Sequence, residues 1–241
     1  MMNNENLKIL LGSCSVRGLS HTKKQMLKQD YALCKQIDGL SIAVIADGLG
    51  SHPKSHKGSR TICHAVETVA REFRKGISGR EKDFFALLTQ LWKVRIYPDS
   101  PNECGTTCLL AIRFPNADIF LAQLGDGCIV YELDGHIQTL SRKNYEFVNL
   151  TDSIGSAFPQ DWSYCCLPAI NRDFCLYMHT DGLDILEEKK EWFLHSLQEE
   201  TEKFTESKEV NLFLRSLLKQ SWEGQLEDDR SLAYFQIKKG C

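Results

Sequence analysis

Five Asp-Gly dipeptides, at 38, 47, 126, 134 and 181, punctuate the chain, and each follows a run that reads as a β-strand. YALCKQI and LSIAVIA flank Asp38-Gly39, while IVYEL and HIQTL flank Asp134-Gly135. A two-residue Asp-Gly loop suits the turn in which both residues take positive φ and strand twist continues through the loop, so both read as β-hairpins. More apolar runs follow this pattern: LKILLGSCSV, TCLLAIRF, DIFLAQLG, DFCLYMHT and, last, SLAYFQI. Helical spacing separates them. Ile62, Val66, Val69 and Phe73 fall at i, i+4, i+7 and i+11, and Phe84, Leu87, Leu88 and Leu91 repeat similarly. The charged stretch 186–206, with Trp192, Phe193 and Leu197 expected to face inward, and VNLFLRSLLKQSW (210–222) also read as helices. Hairpins outnumber β-α-β crossovers, which favours an antiparallel α+β or layered fold over a doubly wound one. No linker divides the chain, so residues 1–241 are expected to form one domain.

The three remaining Asp-Gly pairs directly follow strands, in SIAVIA-Asp47-Gly48, FLAQLG-Asp126-Gly127 and LYMHT-Asp181-Gly182. A fourth acidic group, Glu227-Asp228-Asp229, precedes the final strand. Carboxylates at several buried strand ends can meet at one point, where desolvation opposes their charge. Mg²⁺, Mn²⁺ and Ca²⁺ favour oxygen ligands and would offset that cost. A hard-cation site is therefore preferred over the simpler alternative of four independent turn aspartates.

The order and detail of these segments resemble the metal-dependent protein phosphatases of type 2C. Gln29-Asp30 stands in place of that family's first acidic motif, and Ala46-Asp47-Gly48-Leu49-Gly50-Ser51-His52 is similar to its ADGMGGH. Gly105-Thr106-Thr107 opens a strand, and Leu124-Gly125-Asp126-Gly127 is similar to its VGDSR. Thr180-Asp181-Gly182-Leu183-Asp184 resembles SDGLxD, and Asp228-Asp229-Arg230-Ser231 the closing DNxT. SHTKKQMLKQD, Ser55, Gly58-Ser59 and YEFVNLT (145–151) resemble a bacterial subgroup. The resemblance implies a four-layer αββα sandwich, two stacked antiparallel sheets flanked by helices, with a variable flap over roughly 141–172. It implies hydrolysis of phosphoserine and phosphothreonine by in-line attack of a hydroxide bridging two Mn²⁺ or Mg²⁺ ions. Asp47 would bridge the ions, the Gly48 carbonyl would ligate one, and Asp181 and Asp228 would complete the other's shell. Asp30 and Asp184 would hold bound waters, and Asp126 with Asp181 could support a third ion. A phosphorylated protein substrate and a cognate serine/threonine kinase would be the partners, and the protein would act as a monomer.

Several positions depart from the pattern. Gln29 replaces the Glu that often precedes the first Asp, and Gln25 holds the spacing of the usual phosphate-binding Arg. Arg17, His21, Lys23 and Lys24 are the candidates to replace that Arg. Leu49 stands where eukaryotic members carry a proton-donating His, which makes His52 a candidate donor, with a plain loop residue as the alternative. His179, two residues before Asp181, reads either as a group orienting that acid or as a satisfied strand histidine. These departures keep open a catalytically weak regulatory or binding module, and a hydrolase of a non-protein phosphoester on the same fold.

Other classes are excluded more simply. GLGSHPKSHKGS lacks the spacing of a nucleotide-binding loop, and His52, His56, Cys63 and His64 match no zinc signature. A net charge of −3 opposes nucleic-acid binding through bulk charge. No apolar run approaches membrane-spanning length, and MMNNENLKILLGSC lacks the features of a secretory signal. The ten cysteines include no C-x-x-C pair and several sit in apolar runs. They read as buried structural thiols in a reducing cytoplasm.

Overall fold

The computed structural model describes residues 7–140, 152–220 and 227–239. In chain order these form β1 (Leu7–Val16), α1 (Leu19–Lys23), β2 (Tyr31–Ile37), β3 (Leu40–Ala46), α2 (Ser55–Glu72) and α3 (Glu81–Ile96). There follow β4 (Cys108–Arg113), β5 (Ile119–Leu124), β6 (Cys128–Leu133), β7 (His136–Thr139) and β8 (Ser163–Leu167). The chain then forms β9 (Phe174–His179), α4 (Lys190–Thr201), α5 (Ser207–Gln220) and β10 (Arg230–Lys239). One sheet has the order β1-β10-β9-β6-β7 and the other β2-β3-β4-β5-β8, with every pairing antiparallel. Both expected hairpins are present. Asp38 and Gly39 have φ of 53° and 80°, and Asp134 and Gly135 have 54° and 74°, as their turn type requires.

The period of two along each strand sorts the core into three layers. Ala43 and Ile45 of β3, Leu109 and Ala111 of β4, and Ile119 and Leu121 of β5 face the other sheet. They meet Ile129 of β6, Leu176 and Met178 of β9, and Ala233, Phe235 and Ile237 of β10. The alternate residues Ile42, Val44, Leu110, Ile112, Phe120 and Ala122 pack outward beneath α2 and α3. On the far side Val130, Tyr177, Leu232 and Tyr234 pack beneath α4 and α5. The result is the four-layer αββα sandwich. Because both faces of the central strands are covered, they are continuously apolar rather than alternating. Among the described residues no helix is long and apolar enough to cross a membrane.

Four local expectations change. On α3 the buried stripe is Phe84, Phe85, Leu88, Trp92 and Ile96, while Leu87 is exposed and Leu91 half-buried. Phe85 stacks on Trp162 at 4.4 Å, so the helix turns by one position to engage an aromatic partner that local spacing does not reveal. On α4, Phe193, Leu194 and Leu197 are buried and Trp192 is 66% exposed, the reverse of its expected orientation. The helix itself spans Lys190–Thr201, shorter than the charged stretch from which it was read. The segment resembling a flap is partly built into the body. Residues 141–151 lie outside the described residues, but β8 pairs with β5, and Ile154 and Trp162 are buried. The extension of the last helix to 221–222 also lies outside them.

Candidate metal centre

Antiparallel pairing brings the acidic segments to one end of the sandwich. Tyr31 at the start of β2 pairs with Ala46 at the end of β3, and Cys108 of β4 with Leu124 at the end of β5. In the other sheet His179 ends β9 between Leu232 of β10 and Cys128 of β6. The residues just outside these ends are Asp30, Asp47, Asp126, Asp181 and Asp228. A cleft of about 180 Å³ lies there, lined by Asp47, Asp126, Asp181 and Asp228 together with His21, Gln29 and Gly48–Gly50.

The backbone around Asp47 is fixed by the Gly-Thr-Thr segment. The Asp47 amide donates to Thr107 Oγ1 at 3.0 Å, and its carbonyl accepts from Thr106 Oγ1 at 2.7 Å and the Thr107 amide at 2.8 Å. A methyl group at Gly48 would stand 2.8 Å from both the Gln29 carbonyl oxygen and Ser55 Cβ, so only glycine lets these segments meet. After β9 the same logic applies more strongly. A methyl group at Gly182 would lie 1.8 Å from the Asp229 carbonyl oxygen, which ties the Asp181 turn directly to the segment bearing Asp228.

Two buried acids stand behind the cleft. Asp30 Oδ2 accepts from Thr180 Oγ1 at 2.9 Å and from Ser231 Oγ at 2.8 Å, joining the start of β2 to β9 and β10 of the opposite sheet. Asp229 accepts from the Gly18 amide at 2.8 Å and from the Gln29 amide, and its Oδ1 lies 3.0 Å from His21 Nδ1. Sequence reasoning missed this second acid. Its signal was the doubled Asp228-Asp229, but its partners lie some 200 residues away, at separations of 211 and 200.

Electrostatics follow from this crowding. Burial pushes the Asp30 carboxyl up to about 6, partly opposed by hydrogen bonds from Asp47, Ser231 and Thr180. Burial also raises Asp47 well above the usual carboxylate range, with Asp30, Asp181 and Asp228 adding like-charge repulsion. Asp181 is raised by burial and then by Asp228. Among the described residues no three His, Cys, Asp or Glu side chains already close around one point. The acids share one cleft, where Asp47 is hydrogen-bonded to Asp181 and burial with like charge opposes their full ionisation. Among the described residues the lining offers four carboxylates beside the Gln29 amide and the His21 imidazole, and no thiolate; carboxylate oxygens in this number suit a hard divalent cation.

A model of the family described as Protein phosphatase 2C matches residues 17–227. The chain belongs to the protein phosphatase 2C family. No curated protein matches it in sequence. Three solved structures share the 2C fold. RsbX in complex with magnesium is 16% identical, with 98% of each chain covered and a TM-score of 0.61. The catalytic domain of the serine threonine protein phosphatase PstP, in complex with 2 manganese ions, is 15% identical, covering 97% of this chain and 100% of that one at a TM-score of 0.62. The S. agalactiae serine/threonine phosphatase is 15% identical, covering 96% and 100% at 0.65.

Within this phosphatase 2C chain the remaining candidates separate by position. Of Arg17, His21, Lys23 and Lys24, His21 alone is buried and lines the cleft; the other three are exposed, and Lys23 lies 3.7 Å from Glu227. His52 lies outside the cleft lining, and its Nδ1 accepts from the Gly105 amide at 3.1 Å, so it braces the Gly-Thr-Thr segment. The loop alternative for His52 is the one its contacts describe. Asp184 is exposed and also outside the lining. His179 stacks on Tyr177 on the helix-covered face, with Nδ1 2.9 Å from the Thr180 carbonyl oxygen, a position inside the fold rather than in the cleft.

Proposed function

We propose that this chain is a Mn²⁺- or Mg²⁺-dependent phosphatase that hydrolyses phosphoserine and phosphothreonine in a phosphoprotein. The observation that carries this reading is the meeting of Asp47, Asp126, Asp181 and Asp228, from four separate strand ends, in one cleft. Asp47, the Gly48 carbonyl, Asp181 and Asp228 would hold two cations, and Asp126 with Asp181 would hold a third. When bound, such cations activate water and offset the charge of the phosphoryl oxygens. The protein's own residues do the rest. Asp30 holds Asp47 from behind and is itself fixed by Thr180 and Ser231. The Thr106 and Thr107 hydroxyls keep the Asp47 backbone in place. His21, beside Asp229, would donate to a phosphoryl oxygen in place of the missing Arg. Asp184 and His52 lie outside the cleft lining, and His52 supports it from behind through the Gly105 amide and the Leu49 carbonyl.

Among the described residues His21 is the one basic side chain in the lining, which favours a second reading, a weakly catalytic member that binds phosphoprotein as a regulator. One assay separates the readings. A phosphothreonine peptide, a chromogenic phosphoester and a set of phosphorylated metabolites would be offered with Mn²⁺ or with EDTA, to the protein and to Asp181→Asn. Mn²⁺-dependent turnover of the peptide, lost in Asp181→Asn, supports the phosphatase. Metal binding without turnover supports the regulator, and turnover of metabolites alone moves the substrate away from protein.

A further inference from the structure

A second concavity, of about 470 Å³, lies between β1 and α5. Ser13, Cys14 and Ser15 form its floor, and Leu212, Arg215 and Lys219 its outer wall. Among the described residues two cations and no acid line it, in a chain whose net charge is −3. Arg215 and Lys219 are exposed and one helical turn apart, so they project side by side. Leu212, one turn earlier, is 67% exposed and gives the lip an apolar step. Lys28 and Arg230 stand behind the floor, partly balanced by the buried Asp30 and Asp229, so the exposed Arg215 and Lys219 set the charge of the groove. Burial raises the Cys14 thiol, but Lys28, Arg215, Lys219 and Arg230 all act on it in the opposite sense. Lys28 is anchored to the Ser15 carbonyl at 3.1 Å, and Arg230 to the Leu218 carbonyl at 3.0 Å.

The groove joins the candidate metal centre along the chain. β1 leaves it at Val16, passes the exposed Arg17, and reaches Gly18, which packs against the Asp228 backbone and donates to Asp229. His21 follows at the cleft. The free edge of β1 is already in use. The Leu11 amide donates to Ser207 Oγ at 3.2 Å, and the Ser13 amide to Asn211 Oδ1 at 2.8 Å. An incoming segment would therefore be read by side chains rather than by strand addition.

We propose that this groove docks an acidic segment of the phosphoprotein substrate, flanking the phosphorylated residue held at the cleft. This rests on the phosphatase reading for its substrate. It assigns to Arg215, Lys219 and Arg17 the attraction for anionic substrate that the cleft, with its four carboxylates, lacks until cations are bound. Specificity for acidic flanks and a faster encounter at low salt both follow.

Fluorescence anisotropy tests the docking without any need for turnover. A labelled, unphosphorylated Glu/Asp-rich peptide and a neutral Ser/Ala counterpart would be titrated with the protein in EDTA, beside the double variant Arg215→Glu/Lys219→Glu. The acidic peptide should bind about fivefold more tightly than the neutral one at low salt, and the double variant should abolish the preference. With Mn²⁺, KM for an acidic-flanked phosphothreonine peptide should rise in the variant, while kcat and turnover of the chromogenic phosphoester stay unchanged. Equal binding of the two peptides to the unaltered protein overturns the proposal, as does a preference that survives charge reversal. Single-stranded RNA binding as tightly as the acidic peptide also overturns it, since the groove would then be a general polyanion surface. Loss of all turnover with the anisotropy preference intact would sink the phosphatase reading and leave the docking surface standing.

Discussion

Asp30 shows what a single residue does to this fold. Its carboxyl is buried between two sheets, and its folded value is about 6 against an ordinary 3.8. A folded value above the unfolded one means that the protonated acid favours folding. That contribution is complete below about 3.8 and is lost as pH rises through about 6. Asp47 and Asp181 shift in the same direction, each first by burial. The metal-free protein should thus lose thermal stability between about pH 4 and pH 7, by on the order of 3 kcal/mol for an acid shifted like Asp30. Asp30→Asn keeps an acceptor for Thr180 and Ser231 but carries no charge, so its stability should vary less steeply with pH. Thermal melts in EDTA across that range check this; parallel profiles for the two proteins would contradict it. Asp47 was legible in the sequence because it follows a strand in an Asp-Gly pair. Asp229 was not, because its role depends on Gly18 and Gln29 arriving from the other end of the chain.

At the level of elements, turn chemistry was legible and helix orientation was not. The Asp-Gly hairpins need nothing beyond their own backbone angles, so their sequence suffices. α4 is different. Local spacing admits either Trp192 or Leu194 inward beside Phe193, and the sheet selects Leu194 because Phe193 already meets Tyr177 edge-on at 5.0 Å. Trp192→Ala should therefore change stability by less than about 0.5 kcal/mol. Phe193→Ala should cost about 3 kcal/mol. Urea unfolding of both variants decides, and the reverse order would return Trp192 to the interior. β8 escaped notice because five residues, SYCCL, carry too little alternation to mark an edge strand. α1, also five residues, is too short for a helical repeat, although it places His21. The turn after β9 offers a sharper test of element packing. Gly182→Ala would force its methyl group into the Asp229 carbonyl and separate the Asp181 and Asp228 loops. We expect at least about 2 kcal/mol of destabilisation and weaker Mn²⁺ binding, read by urea unfolding and calorimetry. Unchanged values for both would show that the two loops need not touch.

At the scale of the whole molecule, antiparallel pairing and acidic strand ends make one argument. Hairpins dictate that strand ends lie together, sandwiching two sheets brings ten such ends to each edge, and placing acids at several of them creates a cleft that repels itself. The layered α+β class was legible from hairpin and helix order. The convergence was legible only as a possibility, since spacing along the chain cannot say that loops after β3, β5 and β9 face one another. The central claim is that this crowding exists to be relieved by hard cations. Isothermal titration of metal-free protein with Mn²⁺, beside Asp47→Asn, tests it most directly. The account predicts binding of at least two Mn²⁺ per chain with release of protons, and loss of the tighter site in Asp47→Asn. Absence of Mn²⁺ binding by the folded protein, or binding indifferent to Asp47→Asn, would contradict it.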